Sequence, residues 1–113
     1  MMLDRVSQSF EHYLDLLSAR QKVITSNIAN ADTPGYRTKD IDFQSEFRSA
    51  LRGIHPHPIE IAGLPVHNDG NNVNVDREAR LLSENAMRFN LVSNLLRSQV
   101  QAIRTALQPG SNA

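Results

Sequence analysis

The sequence predicts a mainly α protein. Two long terminal helices form an antiparallel coiled-coil hairpin, joined by an irregular central segment that holds a candidate short β-hairpin. Three observations predict this. Apolar residues recur every seven positions from Leu3 to Ala31 and again from Val75 to Ile103. Between these runs, Pro34, Pro56, Pro58 and Pro65 alternate with Gly35, Gly53, Gly63 and Gly70, which breaks any long regular element. The connection is also long enough to let the second helix fold back along the first.

The 113 residues suit a single domain, divided as 1–33, 34–73 and 74–108. Aromatic residues make up 5% and Trp is absent, so a large globular core is not expected. Twelve basic residues balance twelve acidic ones with no basic stripe, which argues against a nucleic-acid partner. The absence of cysteine excludes disulfides, thiolate zinc sites and a cysteine nucleophile. No stretch approaches the ~20 apolar residues of a membrane span, so the chain is not expected to insert in a membrane. Asp4 and Arg5 open a mixed polar pattern unlike a cleaved secretory signal. If the protein works outside the cytoplasm, it is expected to leave by a route that reads no cleaved peptide.

In the first run, Leu3, Phe10, Leu17, Ile24 and Ala31 hold one heptad position. Val6 and Tyr13 hold the companion position, and Leu14 and Ile28 widen the stripe. The pattern predicts a helix roughly 45 Å long that packs lengthwise on another. The companion position turns polar at Arg20 and Asn27. Such residues either sit solvated at the edge of a seam or fix register against a partner helix.

Asp32-Thr33-Pro34 ends the helix, because a residue before proline is pushed out of the helical region. Pro34-Gly35 suits the central pair of a type II turn. Tyr36 to Phe43 then runs extended and charged. Phe43, Phe47 and Leu51 stand four apart and predict a short helix over about 42–52. Residues 53–72 are the least regular part. Ile59 and Ile61 alternate with Glu60 as a short strand, and Val66, Val73 and Val75 flank an Asp69-Gly70 turn signal, the candidate hairpin. The second long helix starts at Asn74 or Asp76 as N-cap, with Glu78 in the first turn. It carries Val75, Leu82, Phe89, Leu96 and Ile103 at seven-residue spacing, runs to Leu107 and is stopped by Pro109-Gly110.

Little here points to catalysis. His55, His57 and His67 with Asp69 lie in a proline-interrupted loop, not at the helical i, i+4 spacing that holds zinc. They read as solvated, as do the isolated His12 and the carboxylates Asp40, Asp42 and Glu46. No glycine-rich loop precedes a helix and no nucleophile stands near a base. No catalytic residue, cofactor, metal or small-molecule substrate is therefore expected. A lone hairpin has only one seam, so the helices are expected to be marginal alone. The free chain is expected to be disordered and to order by packing on other chains.

The stretch Ser26-Asn27-Ile28-Ala29-Asn30-Ala31-Asp32-Thr33-Pro34-Gly35-Tyr36 resembles the N-terminal signature of the bacterial flagellar axial proteins (rod, hook and hook-associated). Its continuation to Asp40-Ile41-Asp42-Phe43 resembles the rod proteins in particular. Asp69-Gly70-Asn71-Asn72-Val73-Asn74-Val75-Asp76-Arg77-Glu78, followed by Glu84-Asn85, is similar to their entry into the C-terminal helix. The resemblance implies a structural subunit of the proximal rod of the flagellar basal body, needed for motility and without catalysis. It implies secretion unfolded through the flagellar type III export apparatus. It further implies polymerisation with copies of itself and other rod proteins into the periplasmic drive shaft, near the adaptor FliE, the MS ring and the export gate.

The assembly residues follow from the resemblance and the heptads together. Leu3, Val6, Phe10, Leu17 and Ile24, with Leu82, Phe89, Leu96 and Ile103, would form the coiled-coil seam. Asn27, Asn30 and Asn85 would hydrogen-bond across helices or subunits. Pro34, Gly35 and Tyr36 would fix a turn that directs the segment through Asp42 and Phe43 onto a neighbour. The competing reading is a soluble helical-hairpin adaptor or export chaperone that binds one partner.

Overall fold

The computed structural model describes residues 2–50, 52–53 and 55–108, with the side chains of residues 2–4 and 50 left aside. The Leu3 side chain, Leu51 and the Pro109-Gly110 stop lie outside the described residues. The elements, in order, are α1 (Met2–Ala29), β1 (Lys39–Asp40), α2 (Phe43–Ala50), β2 (Ile59–Glu60) and α3 (Val75–Ala106). The molecule is elongated, 71 × 26 × 18 Å.

The two heptad runs are the two long helices, and they run antiparallel. Asn27 meets Glu78 and Leu17 meets Asn85, while Phe10 and Val92 line one groove. Lower numbers on α1 thus pair with higher numbers on α3. Leu17 and Ile24 are buried on this seam, and Leu82, Leu96 and Ile103 are half-buried along it. Asn74 caps α3: its side chain accepts a hydrogen bond from the Arg77 amide at 3.0 Å.

α1 ends at Ala29, earlier than the apolar pattern to Ala31. The chain tightens there, with Ala31 N–H donating to the Ile28 carbonyl and Thr33 N–H to that of Asn30. These three-residue closures wind the chain down to Pro34. The next turn is the one the sequence predicts: Tyr36 N–H donates to the Thr33 carbonyl and Gly35 has φ +76°.

α2 spans less than the expected 42–52 and packs on α1 through aromatics. Phe43 and Phe47 meet Tyr13 edge-on, with ring centroids 4.7 and 6.1 Å apart. β1 and β2 pair antiparallel, Lys39 opposite Glu60 and Asp40 opposite Ile59. The small sheet thus joins the two sides of α2 and is not built on Asp69-Gly70. That dipeptide does turn the chain, between His67 and Asn71, but no strand flanks it. The reason is local. Asn71 N–H is taken by the Asp69 carboxylate, Val73 N–H by the Asn71 side chain and Asn72 N–H by the Tyr36 carbonyl, so the backbone bond across the turn, from His67 N–H to the Asn71 carbonyl, is not continued into a ladder.

Among the described residues the buried apolar set is small: Leu16, Leu17, Ile24, Ile41 and Val73. Buried polar side chains outnumber it: Asn27, Thr38, Asp40, Glu46, Asn71, Asn72, Glu78 and Asn85. Interiors are usually the reverse. This excess of buried polar groups marks where the chain has a specific geometry to hold.

Candidate functional site

Most of the buried polar groups form one knot where the end of α1, the turn after it and the start of α3 converge. Asn27 is its centre. Its amide NH2 donates to the Lys39 carbonyl at 2.8 Å and to Glu78 Oε2 at 3.2 Å. Its Oδ1 accepts from the Tyr36 hydroxyl at 2.9 Å and from Lys39 N–H at 3.1 Å. Two donors and two acceptors are all that an asparagine side chain has to give. The helix holds the amide still, so that it reads both polar groups of Lys39 as a neighbouring strand would.

Glu78, on the first turn of α3, is fully buried. Its other oxygen accepts from Arg77 Nη1 at 2.8 Å. A buried carboxylate is tolerated only when its lone pairs are met. Here Arg77 supplies charge, Asn27 supplies a neutral donor, and the N-terminus of α3 contributes its dipole.

Two further asparagines tie the loops. Asn71 donates to the Asn30 carbonyl at 2.9 Å and to that of Thr33 at 2.8 Å, and so caps the last turns of α1 from the approach to α3. Asn72 Oδ1 accepts from Thr38 N–H at 2.6 Å, and the Thr38 hydroxyl donates to the Asn72 carbonyl at 3.1 Å. Gly35 N–H donates to the Asp69 carbonyl at 2.9 Å. Gly70 sits so close that a Cβ on it would lie 3.4 Å from the Gly35 Cα. The two turns therefore pack back to back through glycines.

On the flank of the knot, Arg20 grips Asp40 with both ends of its fork, at 3.0 and 3.1 Å. Arg20 is thus neither of the two options its heptad position left open: it is not solvated, and it ties the extended segment to α1 instead of setting register against another helix. Asp40 is not a solvated carboxylate, because the extended segment is folded back against α1 and carries it inside. Nor is Glu46: it is buried on the inner face of α2, 3.3 Å from His57 Nδ1. Asp42 remains exposed and sits at the N-terminus of α2, accepting from the Ser45 amide at 3.4 Å. His12 is half-buried instead of exposed. Among the described residues no group of three or more His, Cys, Asp or Glu is placed to hold a metal ion.

The predicted assembly residues divide into three groups. Asn27 and Tyr36 belong to the knot, and Pro34 and Gly35 form the exposed turn above it. Asn85 joins the helices further along, donating to the Leu17 carbonyl at 2.8 Å and to Gln21 Oε1 at 3.0 Å. Asn30 does not cross to α3 through its side chain. It donates to Ser26 on its own helix and accepts from Thr33. Leu17 and Ile24 are closed within the chain, Phe10 and Phe43 are half-buried, and Val6 and Phe89 stay 36% and 38% exposed.

Sequence reasoning passed over Glu78, Asn71, Asn72, Thr38 and Asp40 as site residues. One signal was available. Asn71-Asn72-Val73-Asn74 places three asparagines before a helix that needs one cap.

The chain is similar to known proteins along nearly its whole length. The family model described as "Flagella basal body rod protein" matches residues 14–37, which run from α1 through the turn into the knot. The flagellar basal body rod protein FlgB of Salmonella typhimurium is 30% identical over 138 aligned positions, covering 97% of this chain and all of that protein. FlgB of Borreliella burgdorferi is 33% identical, covering 90% of this chain and 96% of the relative. FlgB of Escherichia coli K12 is 29% identical over 97% of this chain. An alignment of 138 positions exceeds the 113 residues of this chain, so the relative carries residues that this shorter chain lacks. With both motifs locked together in one knot and likeness running nearly end to end, the chain belongs to the family of the flagellar basal body rod protein FlgB.

Proposed function

We propose that this structural subunit of the flagellar rod takes its place in the proximal part of the shaft, packed by its terminal helices against further copies and other rod proteins. The observation that supports this best is the uncovered apolar surface of α3. Met87, Leu91 and Leu95 are 71%, 60% and 47% exposed, and among the described residues nothing folds over them. A lone helix hairpin in water gains nothing from such a stripe, whereas a polymer subunit buries it.

In this reading the free chain is not the disordered one that a lone seam leads one to expect: the knot sets the angle and register of the two helices before assembly. The half-covered seam residues Val6, Phe10, Phe89, Leu96 and Ile103, with Leu3, complete their burial against neighbours. Pro34, Gly35, Asp42 and Phe43 present the turn and the segment after it. The stretches 1–33, 34–73 and 74–108 then act as one assembly domain. We place its neighbours at the base of the shaft: the adaptor FliE, the MS ring and the export gate. Passage to the periplasm occurs unfolded, without a cleaved signal. No catalytic step is assigned to the chain.

The test is made in the bacterium that encodes the chain. Deleting it should abolish swimming, and returning it should restore swimming and place the polypeptide in purified basal bodies beside the export gate. Basal bodies that are complete without the chain would overturn the reading.

A further inference from the structure

We propose that His57 and Glu46 form a proton-operated strap. The charged imidazole fixes residues 55–58 against α2, and the neutral ring loses that hold. The strap is independent of the rod-subunit reading.

Glu46 sits where α2 would be expected to carry an apolar side chain. Phe43, Glu46 and Phe47 fall at the i, i+3, i+4 spacing of one helix face, and Glu46 is 5% exposed. Carboxylates are almost never buried unless they are paired. Among the described residues Glu46 Oε2 has no hydrogen-bond partner, and Oε1 has His57 Nδ1 at 3.3 Å. That separation is long for a directed hydrogen bond, so what His57 brings is charge. A neutral imidazole leaves the carboxylate largely unmet, whereas a protonated one answers it.

The other charges around α2 are committed elsewhere or face water. From α1, Tyr13 meets the rings of Phe43 and Phe47, and Arg20 holds Asp40. His12 is half-buried and stands about 100° from Tyr13 around α1. α3 reaches Phe47 through the groove that Val92 lines, and Val92 carries no charge. Lys39 on β1, Glu60 on β2, Asp42 and Arg48 around α2, and His55 are all exposed. Among the described residues His57 alone forms an ion pair with Glu46.

The chain around His57 is built to hold the ring in place. Pro56 and Pro58 bracket it. Proline fixes its own φ and pushes the residue before it towards extended backbone, so little freedom is lost when the ring docks. Immediately afterwards Ile59 and Glu60 pair with β1. Residues 55–58 are thus anchored at one end by the sheet, and the imidazole fastens them to α2. Histidine is the one side chain that, at its ordinary value, changes charge between about pH 5 and 8. A contact that needs the protonated ring stabilises the fold in acid and fades as pH rises through that range.

The test uses the full chain. Wild type, Glu46→Gln, His57→Gln and the double variant would be unfolded in urea at about pH 5.5 and about pH 8.5, on either side of most of that change. The cycle gives the coupling between the two side chains at each pH. A coupling of about threefold in the folding equilibrium is expected in acid, and none in alkali. His57→Arg carries its charge at both pH values and should stay coupled to Glu46 at both. Should the free chain give no clear transition, the same cycle is read in trimethylamine N-oxide, which favours the folded state. Equal coupling at both pH values for the wild-type pair would show a contact indifferent to the proton and overturn the proposal. No coupling at either would leave His57 a solvated histidine and also overturn it.

Discussion

At the scale of the residue, Asn27 has the least freedom to be anything else. Every hydrogen-bonding position it owns is used, on Lys39, Tyr36 and Glu78. Asn27→Asp keeps the shape but removes both donors and sets a second carboxylate against Glu78. A loss of about 3 kcal/mol or more is expected, measured as a lowered midpoint in thermal unfolding followed by circular dichroism. An unchanged midpoint would mean that the knot does not hold the fold. The glycines offer a paired comparison. Gly35 and Gly70 have φ of +76° and +86°, so alanine at either strains the backbone by about 1 kcal/mol. A Cβ at Gly35 meets open space, whereas one at Gly70 touches the Gly35 Cα at 3.4 Å, the tight edge of van der Waals contact. Gly70→Ala should therefore lower the midpoint more than Gly35→Ala, and the reverse order would contradict the back-to-back packing of the two turns.

At the scale of the element, the long helices were legible because each carries its own period. The cap at Asn74 and the turn at Pro34-Gly35 were legible because each is written in a few adjacent residues. The pairing of Lys39–Asp40 with Ile59–Glu60 was not. The alternation of Ile59, Glu60 and Ile61 marked one strand, but strands this short carry no sign of their partners, which are chosen by where α2 places them. The burial of Glu78, Asp40 and Glu46 was hidden for a related reason. Much of what meets these carboxylates is distant in sequence, as Asn27 meets Glu78 and Arg20 meets Asp40. The helix pair carries its own prediction. Asn85 holds register by donating to Leu17 and Gln21, but its Oδ1 has no partner among the described residues. Asn85→Leu should raise the thermal midpoint by an amount equivalent to about 1 kcal/mol, because it removes a desolvated acceptor. A fall in the midpoint would show that the amide's donated bonds outweigh that orphaned oxygen.

At the scale of the whole molecule, order is distributed unevenly. Every buried side chain among the described residues lies within 16–46 or 71–85, around the knot. Beyond Asn85, α3 has none, and it faces the opening stretch of α1 through half-covered residues. Amide hydrogen exchange in the isolated chain should therefore be slowest near residues 17–28 and 78–85 and should quicken steadily towards residues 2 and 106. Uniform protection along both helices would mean that the hairpin is finished without neighbours. The predominance of amides and carboxylates in the interior has one more consequence. When such a lock opens, its groups are taken up by water at little net loss, and few large greasy side chains are bared. If the chain passes unfolded to its place, as proposed above, a clasp that water can undo serves it well.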